Sequence, residues 1–393
     1  MPTNIQPRFN RSIPARFGVT LVEVIFAIGV ILIGLLGLMS VLPLAGNRAQ
    51  SAIGLNTATA VADSAFNLLV SGEYLESERL MFWDDSTLPL PPVQQPVPEI
   101  NQSLCIDPLR ANSEVPEVIN GFNATRFPYL QPTHNPLLDP STNGSLGADV
   151  FPRMLRVGLR IPDGRALSRE EALRLTESQD DVPTDRPNDR TLNATVKVVE
   201  ATTGGMAYGK RLATGEYSWF ATLSPKTVNP GERFGILSVV VVRNRDRVFS
   251  FPQDVLAAEF NANAERAALV TQWNGFRGGS GGTVTLASSS SVKASMPPNT
   301  WVMLSRGVGA GAVHRWYRVV GTDGEPEFGL ASEFGLDSYV GGGAPLWRRS
   351  VLLDGSDWSF GPTPPPNLAA ATHATIVEGV VSVTERIVRL HHH

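Results

Sequence analysis

Cysteine is all but missing: Cys105 is the single one in 393 residues, so the chain closes no internal disulfide. It stands in a Pro-rich, polar stretch and reads as an inert thiol. Basic excess is missing too. Lys and Arg number 33 against 37 Asp and Glu, the net charge is −4 and the pI about 5.9, so charge gives no footprint for nucleic acid. Histidine is sparse. His134, His314 and His373 are scattered without metal-ligand spacing, and His391, His392 and His393 at the end are a metal-binding tract or a tag remnant, set aside from the fold. No internal repeat stands out.

Catalytic motifs are equally scarce. Gly278-Gly279-Ser280-Gly281-Gly282 has the letters of a nucleophile elbow, whose mechanics require a strand, a sharp turn and then a helix. Beyond Ser280 the chain runs into the strand-like Thr283-Val284-Thr285-Leu286, so a flexible hairpin loop is the expectation and no catalytic residue is assigned. Asp139 to Asn143, with Gly144 at the sixth position, opens like a calcium loop, but Val150 occupies the twelfth position where a bidentate Glu belongs. An Asn-Gly turn is the simpler reading. Acidic loops around Asp323, Glu325 and Glu327, or Asp354 and Asp357, are read as solvated charge. No cofactor is expected, and calcium is left without a location.

Long apolar runs are limited to one, and it is informative. From Val19 to Leu42 the only formal charge is Glu23. About 20 apolar helical residues suffice to cross a hydrocarbon core, and an acid inside such a segment costs about 2.5–3.5 kcal/mol even on the lenient insertion scale. Glu23 therefore needs a compensating partner, which makes it a functional candidate. Arg8, Arg11 and Arg16 precede the run with no acid among residues 1–18, and Arg48 comes after it. By the positive-inside rule the N-terminus stays cytoplasmic and the rest faces outward.

The basic leader, Gly18, Val19, Thr20-Leu21, Val22 and Glu23, the fifth residue after that Gly, resemble the prepilin signal of type IV pilins and type II secretion pseudopilins. The resemblance covers about residues 8–70. It implies that a prepilin peptidase cuts between Gly18 and Val19 and methylates the new amino terminus of Val19. It also implies that Glu23 pairs with the amino terminus of a neighbouring subunit, through an inner-membrane assembly platform, and that the product is a non-enzymatic filament subunit. The implied localisation is the inner membrane, single-pass with a periplasmic head, and then a surface filament or pseudopilus. The size of the head favours a minor subunit of a type IV pilus. A pseudopilin of a type II secretion system is the alternative, and a membrane-tethered binding or enzymatic domain on a plain anchor is the second. A cleaved secretory signal fits poorly, because the run is long and Pro43-Leu44-Ala45 lacks the small residue wanted at the first position. Many members of the family staple a C-terminal loop with a disulfide, which this chain does not have the cysteines to do.

Beyond the run, Ala52, Leu55, Thr59, Ala62, Phe66 and Leu69 recur at three- and four-residue spacing, the stripe of an amphipathic helix lying on a folded domain. The expected helix extends from Val19 to about Arg79, roughly 90 Å at 1.5 Å per residue, with Pro43 bending or locally melting it. Proline density over 84–152 and the polar stretch Ser168–Arg190, with a short helix at Arg169–Glu177, predict a mostly irregular insertion. Val-, Thr- and aromatic-rich segments predict strands at Ala194–Glu200, Tyr217–Leu223, Phe234–Arg243, Ala267–Trp273, Thr283–Ala287, Trp301–Leu304, His314–Val320 and Ile376–Leu390. Trp219, Trp301, Trp316 and Tyr317 read as β-core or interface. The expected fold class is α+β: a long helix, transmembrane then amphipathic, packed on a β-rich pilin-like head. The expected segments are 1–18 leader, 19–46 assembly helix, 47–82 amphipathic helix, 83–190 insertion and 191–390 head.

Overall fold

The computed structural model describes residues 20–84, 93–97, 102–112, 126–128, 152–176, 216–226, 234–243, 245, 265–288, 296–308, 311–337, 343–361 and 370–390. The chain divides into two compact units, Met1–Gly54 and Leu55–His393.

Helix α1 (Leu21–Ser71) begins in the first unit. Thr20 precedes it, and its hydroxyl accepts a hydrogen bond from the Glu23 amide at 3.4 Å, an N-terminal cap that satisfies one of the otherwise orphaned first amides. The assignment runs unbroken past Pro43, so the expected local melting is not observed. Among the described residues of this unit the large apolar side chains are exposed, Leu21, Val22, Phe26 and Ile33 each by about three-quarters.

The second unit begins inside α1, and here the helix has a packed face. Ala58, Val61, Ala62, Ala65, Phe66 and Leu69 are buried. The expected stripe is right for Ala62, Phe66 and Leu69, but Leu55 faces outward and Thr59 donates its hydroxyl to the Leu55 carbonyl at 2.9 Å. Three small residues, Ala58, Ala62 and Ala65, line the packed face, and small side chains let a helix backbone lie close to a sheet.

That sheet has eight strands. β1 (Leu80–Asp84), β2 (Val93–Pro96), β3 (Leu104–Ile106), β4 (Arg126–Phe127), β5 (Met154–Leu159), β6 (Tyr217–Pro225), β7 (Phe234–Arg243) and β14 (Val380–Arg389) form it in the order β14-β7-β6-β3-β5-β1-β2, with β4 on β5. All pairs are antiparallel except β3 with β5. Between β7 and β14 in sequence come β8 (Glu265–Gly275), β9 (Gly282–Ser288), β10 (Trp301–Val308), β11 (Gly311–Leu330), β12 (Pro345–Asp354) and β13 (Thr372–Val377), which close into a barrel in the order β10-β11-β12-β9-β8-β13. Two short helices, α2 (Pro108–Ala111) and α3 (Arg169–Thr176), come after β3 and β5. Ser168 and Glu171 start α3 with a reciprocal capping box: the Glu171 amide donates to Ser168 Oγ, and the Ser168 amide to the Glu171 carboxylate.

Three layers result from how the side chains alternate. Leu237, Val239 and Val241 of β7 point to the α1 face and join Phe66 and Leu69 in one core, with Trp219, Leu223, Leu155 and Val157. Val240 and Val242 point the other way, joining Phe220, Phe127, Met154 and Cys105 of the sheet with Met303, Trp316 and Val377 of the barrel. The barrel interior is filled rather than hollow, by Val284, Leu286, Val302, Leu304, Tyr317, Val319, Val351 and Leu353 among others. An aromatic group, Phe276, Tyr317, Trp358 and Phe360, with Trp273 stacked on Phe360 at 4.6 Å, belongs to that filling.

The expected class is corrected. Strands take about half of the structure and form two sheets, so the architecture is mainly β rather than α+β. Among the described residues, no helix is long and apolar enough to cross a membrane. Within the expected insertion, β3 and β5, which the sequence hides among prolines and polar residues, are central strands of the sheet. Ala194–Glu200 lies outside the described residues.

Candidate functional site

Of the residues that carry the prepilin-like motif, Gly18 and Val19 lie outside the described residues. Glu23 is in the first turn of α1, exposed, where the partial positive charge of the helix N-terminus favours an acid. Its amide is held by Thr20, through both hydroxyl and carbonyl. Its carboxylate makes no ion pair among the described residues. The arrangement is a fixed backbone presenting an anion from a turn whose neighbours Leu21, Val22, Val24 and Ile25 are all exposed and apolar.

A second group of charged residues was not foreseen. Asp107 comes directly after β3 and starts α2, whose Ala111 amide donates to the Asp107 carbonyl at 2.8 Å. Its carboxylate accepts two hydrogen bonds from Arg245, at 2.9 and 2.6 Å, and pairs with Arg156 of β5. Arg156 also reaches both oxygens of Glu265, at 2.9 and 2.8 Å, and Arg110 of α2 reaches Glu265 at 2.6 Å. All five side chains are at most 4% exposed. The Arg156 and Arg245 guanidinium groups lie over the rings of Phe127 and Phe220. Burial alone would raise the Asp107 carboxyl, but Arg245 and Arg156 outweigh it and hold it well below the usual range. Burial lowers Arg110 to about 10, with the like charge of Arg245 adding to it. Such a network holds elements together rather than offering a proton or a nucleophile. Arg156 inside the apolar Met154–Leu159 was the one signal in the sequence; its partners lie 49 and 109 residues away.

The remaining candidates fall into place individually. Cys105 is fully buried in β3 and its thiol is pushed up by burial, which removes thiolate reactivity. Ser280 sits in the exposed turn between antiparallel β8 and β9, its hydroxyl donating to the Arg277 carbonyl at 3.2 Å. The helix required of a nucleophile elbow is replaced by a strand. Gly279 donates its amide to Asp357 at 2.7 Å, so Asp357 anchors that turn. Glu327 pairs with Arg348, while Asp323 and Glu325 are exposed strand residues. His314 is buried, its Nδ1 2.8 Å from Ser305 Oγ, and burial lowers its pKa to about 3, with Arg315 contributing. His373 is buried on β13 in register with Ser305. Trp219, Trp316 and Tyr317 are core, with the Trp316 indole donating to Thr222 Oγ1 at 3.0 Å. Trp301 packs partly buried against the sheet-barrel core. Asp139 to Asn143, His134 and the terminal histidines lie outside the described residues, and among those described no group of three or more His, Cys, Asp or Glu is placed to hold a metal.

Comparisons with family models, with curated proteins and with solved structures give no match.

Proposed function

We propose that this chain is a non-enzymatic, minor subunit of a type IV pilus-like filament, matured by cleavage between Gly18 and Val19 and N-methylation of Val19. In this reading it is held at the inner membrane with its head in the periplasm before assembly. The observation that carries the reading is the apolar N-terminal turn itself: Glu23 stands at the start of α1 with no ion-pair partner among the described residues, surrounded by exposed Leu21, Val22 and Ile25. So much uncovered apolar surface asks for burial against something, and a carboxylate in its midst asks for a cation when that happens. The amino terminus of a neighbouring subunit supplies both needs at once, because cleavage after Gly18 creates the positive charge and the neighbour's own apolar segment supplies the cover. The packed half of α1 is consistent with this division of labour, one part of the helix committed to the head and the other left for association.

The test is mass spectrometry of the chain recovered from its native cells. A mature protein beginning at methylated Val19 supports the proposal, and a chain that retains residues 1–18 refutes it. Glu23→Ala is expected to leave expression and head folding intact while preventing incorporation into filaments, scored by immunogold labelling. Loss of exoprotein secretion on deletion, with filaments unaffected, would move the assignment to a secretion pseudopilus.

A further inference from the structure

The strand order contains a nested architecture. β7 and β14 are adjacent antiparallel strands, paired from Val242 with Val380 to Phe234 with Arg389 with one bulge between Val380 and Ser382, so in the sheet they form a hairpin. The hairpin is joined not by a turn but by the whole six-stranded barrel. At its neck the two strands touch: the Arg243 amide donates to the Gly379 carbonyl at 2.8 Å. A module with its own filled interior thus enters and leaves the sheet through one narrow point.

The buried charge network stands at that entry. Arg245 is two residues beyond the end of β7, and Glu265 is the first residue of β8, hence of the barrel. Both are clasped by residues of the sheet and its flanking helix: Arg245 by Asp107, Glu265 by Arg156 and Arg110. A second set of polar contacts runs along β11. Ser103 donates to the Ala312 carbonyl at 3.0 Å, the His314 amide donates to Ser224 Oγ at 3.2 Å, and Trp316 donates to Thr222. These are neutral and directional. The charge network differs in what its loss would do: once one member is removed, the remaining charges are left uncompensated and buried unless the barrel lifts and admits water.

We propose that the barrel is a module carried in the β7–β14 hairpin, and that Asp107, Arg110, Arg156, Arg245 and Glu265 form a latch that makes barrel and sheet unfold as one. This does not depend on the filament assignment. The test is hydrogen exchange read by mass spectrometry on the full chain in detergent, at increasing urea, comparing peptides from β6 and β7 with peptides from β9 and β12. Tryptophan fluorescence gives a second, barrel-weighted reading, since Trp273, Trp301, Trp316, Trp347 and Trp358 lie in the barrel region and only Trp83 and Trp219 elsewhere. In the wild type, sheet and barrel peptides are expected to lose protection at the same urea concentration. In Glu265→Gln the barrel peptides are expected to open at lower urea than the sheet, turning one transition into two. Arg245→Lys, which keeps the charge but loses the forked contact to Asp107, is the milder version and is expected to show a smaller separation of the same sign. Separate transitions in the wild type, or a parallel shift of both peptide sets in the variants, would overturn the latch. Failure of both variants to fold would overturn it too, since the network would then belong to one indivisible core.

Discussion

His314 offers the most quantitative check on the structure, because its environment fixes a sign, a slope and a pH window. The ring lies between barrel and sheet, 3% exposed, with Nδ1 against Ser305 Oγ and Nε2 without a hydrogen-bond partner among the described residues. Burial disfavours the charged form, the nearby Arg315 guanidinium disfavours it further, and the pKa falls from 6.5 to about 3. The unfolded chain therefore takes up a proton on this side chain near pH 6.5 while the folded chain does not. Above pH 6.5 the two states bind equally and His314 has no effect on the pH dependence. Below it, the folded state loses about 1.4 kcal/mol of stability per pH unit, and the loss stops only near pH 3 where the folded state also protonates. From pH 8 to pH 4.5 the loss is on the order of 3 kcal/mol. Other groups titrate in the same range, so the quantity to measure is the difference between wild type and His314→Gln, from urea unfolding at pH 8, 6.5, 5.5 and 4.5. Gln keeps a polar atom near Ser305 and carries no titratable proton. The stability difference is expected to move by roughly 1.4 kcal/mol per pH unit toward the variant as the pH falls below 6.5. Two lines that stay parallel down to pH 4.5 would refute the buried, neutral assignment.

Further tests probe the other layers. Phe66→Ala is expected to cost about 3–5 kcal/mol, as for other buried aromatics, with Leu55→Ala, at an outward-facing position, within about 0.5 kcal/mol of wild type; equal effects in thermal or urea unfolding would mean that the packed face of α1 is misassigned. Asn112→Ala removes a side chain that accepts from the Leu159 amide at 3.0 Å and donates to the Leu159 and Leu167 carbonyls at 3.1 Å, and is expected to cost roughly 2–4 kcal/mol through the unpaired groups it leaves. Gly379→Ala, at φ +77° with a Cβ 2.7 Å from the Arg243 carbonyl, should lower the melting temperature well beyond Gly278→Ala, at φ +73° in open space, where only the left-handed strain of about 1 kcal/mol applies. Ser280→Ala is expected to leave any hydrolysis of a generic ester unchanged.

Legibility tracked the kind of physics involved. Phe234–Arg243 is read with its own boundaries because its apolar, β-branched texture has no other stable use, and the short helix expected at Arg169–Glu177 is found at Arg169–Thr176, where the structure adds a capping box that the sequence reading did not use. Ile376–Leu390 is read as one strand although Glu378 and Gly379 turn the chain between β13 and β14; the texture continues through the turn, and only the positive φ of Gly379 marks it. β12 is missed because Arg348 and Arg349 interrupt its apolar pattern, yet both find polar partners on β11, Arg348 in Glu327 and Arg349 in Thr322. β3 and β5 are missed for a deeper reason. Their segments carry Asp107, Arg110 and Arg156, charges that look like surface until Arg245 and Glu265, far along the chain, neutralise them. Local pattern contains no record of such pairing. The prepilin-like motif rests on residues 18–23 of the sequence alone, and the structure describes it only from Thr20 onward.

The uninterrupted Val239-Val240-Val241-Val242 of β7 joins these observations. An antiparallel sheet with one wet face alternates apolar and polar residues, and a strand that is apolar at every position must be covered on both sides. Here Val239 and Val241 face the α1 core and Val240 and Val242 face the barrel core, so β7 requires both layers at once. Losing the helix would uncover one row, and losing the barrel would uncover the other. The barrel's insertion at the end of this same strand therefore sets it over the row of valines that needs it. A single Val240→Ser exchange should accordingly weaken the barrel layer, where Phe220, Met303 and Trp316 belong to that side chain's cluster, and Val241→Ser the helix layer, where Leu69 and Trp219 belong to its cluster. Each is expected to cost about 2–4 kcal/mol, from the lost apolar burial and an added hydroxyl without a partner. With the charge network intact, each loss is expected to appear as an earlier single transition in urea unfolding; a cost below about 0.5 kcal/mol for either variant would contradict the two-faced role of the strand.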